Sequence, residues 1–116
     1  VVGTPFYVAP EVIDKRGYSE KCDIWSVGVM MYMILVADFP FRGANNNELF
    51  ERIKRGEYSM VASKQLLACS QEGKLFLKRL LDRNPNRRPG AREALRDPWF
   101  LQLNIERNIT RTVALT

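Results

Sequence analysis

Between Ile24 and Val36 the chain reads IWSVGVMMYMILV, an apolar run with no charged residue in it. A helix that is hydrophobic on every side has no solvent face and has to be enclosed by other elements. The run is too short to cross a bilayer, which takes about 20 apolar residues, so the enclosure must be protein. Ser19 is placed to cap the start, with Glu20 in the first turn, and Phe39-Pro40-Phe41 is placed to end it. A helical domain built around one central helix is the expectation.

The segments that follow supply partners for that helix. The loop RGANNN leads into ELFERIKR, where Leu49, Phe50 and Ile53 fall on one face and Gly56 closes the segment. Residues 57–69 carry no clear period and read as irregular. Ser70 is placed to cap QEGKLFLKRLLD, whose Phe76, Leu77, Leu80 and Leu81 share a face, and Asn84-Pro85-Asn86 breaks it. A short helix from Ala91 to Arg96 runs into Asp97-Pro98-Trp99-Phe100, whose aromatics should pack back on the core. From Leu101 the chain turns polar, with weak periodicity at Leu103, Ile105 and Ile109, and reads as an extension or linker. No strand signal is present. The fold class is mostly α, with a domain over 1–100 and a C-terminal extension over 101–116.

Composition excludes several functions. At 116 residues the chain fits one domain. A net charge of +5 is a mild basic bias, and the cations (Lys54, Arg55, Lys78, Arg79, Arg87, Arg88 and Arg92) are scattered along the sequence rather than clustered. A solvated surface is the better reading, and no nucleic-acid partner is expected. The two cysteines, Cys22 and Cys69, have no Cys-x-x-Cys spacing and no histidine to help them, so no metal site is expected. They read as reduced, buried thiols of an intracellular protein, cytoplasmic or nuclear. The amino terminus lacks a basic region followed by an apolar run, so no leader is expected, and no membrane span is foreseen. Asn108-Ile109-Thr110 fits a glycosylation pattern and is read as chance.

Placed in order, the remaining motifs resemble the carboxyl-terminal lobe of a eukaryotic protein kinase. Ala9-Pro10-Glu11 matches the element that ends the activation segment in that family. Asp23-Ile24-Trp25-Ser26-Val27-Gly28 follows at the family's spacing on the apolar helix, then Pro40-Phe41, then Arg87-Arg88-Pro89, then Asp97-Pro98-Trp99-Phe100. Gly3-Thr4-Pro5-Phe6-Tyr7 resembles the serine/threonine branch. The runs KCDIWSVGVMMYMIL, ELFERIKRGEYSM and EALRDPWF are similar to the calcium/calmodulin-regulated group, above all to calcium-dependent protein kinases of the plant and protist type.

The resemblance implies roles for particular residues. Glu11 corresponds to an acid paired with an arginine of the later loop, here Arg88, in a structural anchor that includes Trp25. Asp23 corresponds to an acid that accepts backbone N–H bonds from the catalytic loop, and its position also suits the helix dipole. Thr4 corresponds to a threonine that bridges the catalytic aspartate and lysine, a supporting rather than a reacting role. Phe6 and Tyr7, with Thr4, would contact substrate near the phosphoacceptor while packing on the central helix. Gly28 would allow close approach by a neighbouring element. Three departures stand out, the mildest being Phe6, which stands where a tyrosine is commoner in the subgroup. Met33 follows Tyr32 where some basophilic kinases carry a glutamate, and Asp38 stands where glycine is frequent, a change that the resemblance does not explain.

Catalysis in this family draws on a Gly-rich loop, a Val-Ala-Ile-Lys-type lysine, a His-Arg-Asp segment and an Asp-Phe-Gly magnesium site, and none is present in these residues. The expectation is therefore the substrate-binding lobe of a longer enzyme, begun inside the activation segment. That parent would use ATP and Mg²⁺ on protein or peptide substrates, with these residues neither binding nucleotide nor transferring phosphate alone. The kinase amino-terminal lobe and catalytic loop are then partners of this lobe. A calcium-binding regulatory domain or calmodulin is the partner the subgroup implies, although no calcium loop is present here. Two other classes stay open: a pseudokinase, or a free-standing helical interaction module docking through the Leu49/Phe50/Ile53 helix. On the fragment reading, part of the central helix should lie exposed.

Overall fold

A computed structural model describes residues 5–99 and residue 101. Six α-helices and two 3-10 turns make up the described residues, with no strand among them: a turn at Pro5–Tyr7, α1 at Pro10–Ile13, α2 at Glu20–Val36, α3 at Asn46–Arg55, α4 at Lys64–Ala68, α5 at Gln71–Leu80, a turn at Pro85–Arg87 and α6 at Ala91–Leu95. Helix α2 is the spine. It packs against α5, α4 and both 3-10 turns, while α1 packs against α3.

The caps explain where these helices begin. Ser19, Asn45, Ser63 and Ser70 each hold extended backbone and accept a bond from an N–H of the first turn, leaving fewer orphan donors at four helix starts. Gly56 closes α3 in the left-handed conformation, at φ 66°. Helix α2 ends differently from the expectation. Ala37 turns left-handed at φ 60° and its N–H bonds to the Met33 carbonyl at 2.7 Å, so the helix has closed before Phe39-Pro40-Phe41 is reached.

Residues 57–69 depart from the irregular reading. Ser63 caps the five-residue helix α4, and Leu66 on it is fully buried. A helix this short has no stability of its own. It is held by tertiary bonds to α2: the Tyr32 hydroxyl donates to the Ser59 carbonyl at 2.7 Å and the Ser63 hydroxyl to the Leu35 carbonyl at 2.9 Å. Tyr58 packs edge-on to both Tyr32 and Phe41, and burial first, with Asp82 and Tyr32 adding to it, pushes its hydroxyl up to about 12.

The main core gathers Trp25, Val29 and Tyr32 of α2 with Phe41, Leu49, Ile53, Leu66, Leu77 and Leu81; a second cluster joins Ile24, Phe76, Leu80 and Ala94. The apolar face read from QEGKLFLKRLLD is fully used, since Phe76, Leu77, Leu80 and Leu81 are all buried. Trp99 stacks on Phe76 at 5.3 Å, so that aromatic does pack back. Phe100 and residues 102–116 lie outside the described residues, and with them the expected extension. Helix α2 is not enclosed on every side: Val27, Met30 and Ile34 remain 49%, 51% and 80% exposed.

At Gly28, α2 runs close against the end of α5. A Cβ there would stand 2.9 Å from Leu80 Cβ and 2.9 Å from Leu81 Cδ2. Gly28→Ala is expected to lower unfolding stability by about 1–3 kcal/mol through overpacking. Urea titration followed by circular dichroism tests this, and an unchanged midpoint would show that the two helices part without cost.

Candidate functional site

The site is built around one buried carboxylate. Pro10 presets the first turn of α1, and Glu11 follows it. The turn closes when Lys15 goes left-handed at φ 58°, with Lys15 N–H bonding to the Val12 carbonyl and Arg16 N–H to the Glu11 carbonyl at 2.9 Å. This closure lies at the surface and leaves the Glu11 side chain pointing inward, 4% exposed.

Arg88 meets it from far along the chain. The 3-10 turn Pro85–Arg87, capped by Asn84, delivers Arg88 in extended backbone. Its Nη1 and Nη2 donate to Glu11 Oε2 and Oε1 at 2.6 and 2.7 Å. Nε donates to the Asp82 carbonyl at 2.6 Å, Nη1 also to the Lys21 carbonyl at 2.9 Å, and Nη2 also to the Arg83 carbonyl at 3.5 Å. A guanidinium has five N–H donors, and these bonds occupy all of them. The Trp25 ring lies under the guanidinium, 4.9 Å from its carbon to the ring centroid. Burial alone would push the Glu11 carboxyl up; the bonds and charge of Arg88 and a backbone bond outweigh it and hold the carboxyl below its ordinary value. Cys22 Sγ also donates to Glu11 Oε2 at 3.4 Å. Burial above all keeps that thiol protonated, with its pKa raised.

In front of this anchor stands an aromatic group. The Phe6 ring stacks on Phe39 with centroids 4.2 Å apart, and Tyr7 meets the same ring edge-on at 5.6 Å. The Ser26 hydroxyl donates to the Tyr7 carbonyl at 3.1 Å, pinning the 3-10 turn to α2. Phe6 and Tyr7 are both half-buried, so their packing role is observed. A cavity of about 250 Å³ opens beside them, bounded by Tyr7, Val12, Tyr18 and Asp23. Asp23 is exposed at its rim, in the first turn of α2, and accepts a bond from the Tyr18 hydroxyl. That bond to Asp23 is the leading reason the Tyr18 pKa is raised.

Thus Glu11, Arg88 and Trp25 come together in one buried cluster, Phe6 and Tyr7 form a separate aromatic face, and Asp23 lies outside the buried cluster, sharing a small cavity with Tyr7. Thr4 lies outside the described residues. Three contributors were not foreseen. Phe39 was read only as a helix stop, yet it is the ring on which Phe6 and Tyr7 rest. Lys21 contributes its carbonyl to Arg88, and its Nζ donates to the Arg88 carbonyl. Cys22 touches the Glu11 carboxylate. None has a local signal, because each acts through a contact distant in sequence. Asp38 also gains an explanation: its Oδ1 accepts the Phe39 N–H at 2.8 Å and Arg42 Nε at 2.6 Å, fixing the loop that carries Phe39.

Chemically this arrangement is an anchor. The Glu11 carboxylate is fully engaged and unsuited to act as a base, and among the described residues no group of three or more Cys, Asp or Glu side chains is placed to hold a metal ion. No helix among them is long and apolar enough to cross a membrane.

Residues 1–100 match the protein kinase domain family. The chain is 42% identical over 98 residues to calcium-dependent protein kinase 3 of Plasmodium berghei, covering 84% of this chain and 17% of that protein. It is 42% identical over 100 residues to serine/threonine-protein kinase 33 of Bos taurus, covering 84% and 20%. A crystal structure of the Rad53 kinase domain and SCD2 in complex with AMPPNP aligns with a TM-score of 0.71 and 40% identity, over 82% of this chain and 37% of that one. The chain spans a fifth or less of the length of the two curated relatives it matches here.

Proposed function

Since this chain belongs to the protein kinase domain family, we propose that it is the substrate-binding lobe of an ATP- and Mg²⁺-dependent serine/threonine protein kinase, with calcium as the regulator of the parent enzyme. The observation that carries the reading is the buried, two-point Glu11–Arg88 pair. It fastens the Ala9-Pro10-Glu11 segment to the base of the helical lobe across 77 positions of sequence. A segment so fastened holds the Phe6/Tyr7/Phe39 face in a fixed place, as a docking floor for a peptide requires. Calcium regulation is supported by the likeness to calcium-dependent protein kinase 3 of Plasmodium berghei. An intracellular location, cytoplasmic or nuclear, is supported by two free cysteines.

The nucleotide and its metal find no holding residues here. The sequence carries no Gly-rich phosphate loop and no Asp-Phe-Gly, and the two buried carboxylates among the described residues, Glu11 and Asp97, are each paired with an arginine, Arg88 and Arg79. These 116 residues are therefore assigned docking, and the transfer step to a segment outside them. The decisive experiment compares the chain alone with the chain extended by its native upstream sequence, both given ATP, Mg²⁺ and serine- or threonine-containing peptides. The extended protein should phosphorylate the peptides and the chain alone should not. Phosphate transfer by the chain alone, or none by the extended protein, would overturn the reading, the second outcome favouring a pseudokinase. Phe6→Ala in the extended enzyme should raise the peptide KM more than it lowers kcat.

A further inference from the structure

On the solvent side of the Glu11–Arg88 pair a cleft of about 520 Å³ opens between the loop after α1, the end of α3 and the loop after α5. Each of these elements contributes one cation, Arg16, Lys54 and Arg83, and Asn84 and Asn86 complete the wall. Local backbone brings them together. The left-handed Lys15 and Gly17, at φ 58° and 100°, fold the Arg16 loop back on itself. Gly56 makes room for Arg83: a Cβ there would lie 3.2 Å from Arg83 Cβ and 3.5 Å from Arg83 Cδ, so the arginine stem runs along the bare glycine.

The carboxylates nearby do not balance these charges. Asp14 is shared by Arg16 Nη2 at 3.1 Å and Lys54 Nζ at 3.6 Å, and Lys54 also meets Glu51 at 3.2 Å. Glu11, at the floor, is already engaged by Arg88. Arg83 makes no ion pair with any described residue. Excess positive charge therefore sits in a concavity, where low-dielectric walls concentrate its field.

We propose that this cleft binds a phosphate-type dianion, either inorganic phosphate or the phosphate of a phosphorylated serine or threonine in a polypeptide. The Arg83 guanidinium presents the planar fork that grips two phosphate oxygens. Arg16 and Lys54 turn from Asp14 toward the anion, and the side-chain amides of Asn84 and Asn86 are within the same wall to donate. The site carries no reaction and stands apart from the phosphoryl-transfer reading.

The test titrates the ¹⁵N-labelled chain at constant ionic strength with inorganic phosphate, and separately with a phosphoserine peptide and its unphosphorylated form. Saturable amide shifts confined to Arg16, Lys54, Arg83, Asn84 and Asn86 are expected. Arg83→Ala should weaken binding about tenfold or more, the loss of a charge-assisted contact. Asp14→Asn, which removes the competing carboxylate, should tighten it. Tighter saturation by the phosphopeptide than by inorganic phosphate assigns a protein source, and equal or weaker saturation assigns the free anion. No saturable shift with either probe, equal binding by the unphosphorylated peptide, or an Arg83→Ala or Asp14→Asn variant that binds as the parent does, would overturn the site.

Discussion

Arg88→Ala is expected to remove about 3–5 kcal/mol of unfolding stability, because it leaves the Glu11 carboxylate buried without its counter-charge. Domains of this size are stable by only about 5–15 kcal/mol, so this single change should bring the chain close to unfolding at room temperature. Glu11→Gln should cost less, since an amide keeps the shape and one acceptor. A double-mutant cycle on the two positions should show strong coupling by urea unfolding, and an Arg88→Ala loss below about 1 kcal/mol would mean the pair is not the anchor. In the extended enzyme the same substitutions should lower activity by loosening the Ala9-Pro10-Glu11 segment. Acid should act on the same pair. The folded-state pKa of Glu11 lies below its ordinary 4.5, so the unfolded chain takes up that proton first as pH falls. The stabilisation is complete above about pH 4.5 and is lost as pH falls through the lower, folded-state value. Glu11→Gln should flatten that limb of the stability curve, whereas an unchanged acid limb would place the titration elsewhere.

Trp25→Ala should cost a similar amount, about 3–5 kcal/mol, for a large aromatic removed from a full core. Trp25 has no solvent exposure. Its ring stacks on Phe41 at 5.6 Å and carries the Arg88 guanidinium on the other contact. Its indole N–H is buried and has no hydrogen-bond partner among the described residues, so the ring face rather than the polar atom supplies the stabilisation. Trp25→Phe should therefore retain most of what Trp25→Ala loses. Melting temperatures of the two variants decide the matter, and equal losses would show that a single six-membered ring does not supply the stabilisation.

Much of this architecture was legible before any coordinates. The central helix announced itself by an apolar run with a serine cap, and α3 and α5 by faces repeating at helical spacing between a cap and a stop. The Glu11–Arg88 pair was legible only through the order of motifs, since no local property of either residue points to the other. Short α4 was not legible, because its five residues are helical only while Tyr32 and Leu35 hold the flanking loop. The role of Phe39 was hidden for a related reason: beside a proline it reads as a stop, and only its place opposite Phe6 and Tyr7 makes it a platform.

What the amino-acid order determined by itself is the set of helices and their caps, which depend on side chains within one or two turns of each other, and the family that their sequence of motifs identifies. Which carboxylate is buried and which stays at the surface was decided by tertiary structure. Glu11 and Asp23 both open helices, yet one meets a guanidinium brought from the far end of the chain and the other meets water and a tyrosine. The same is true of the Arg16/Lys54/Arg83 cleft. Cations scattered in sequence become one site only when three elements fold to a common edge, because electrostatic energy depends on distance through space and not on distance along the chain.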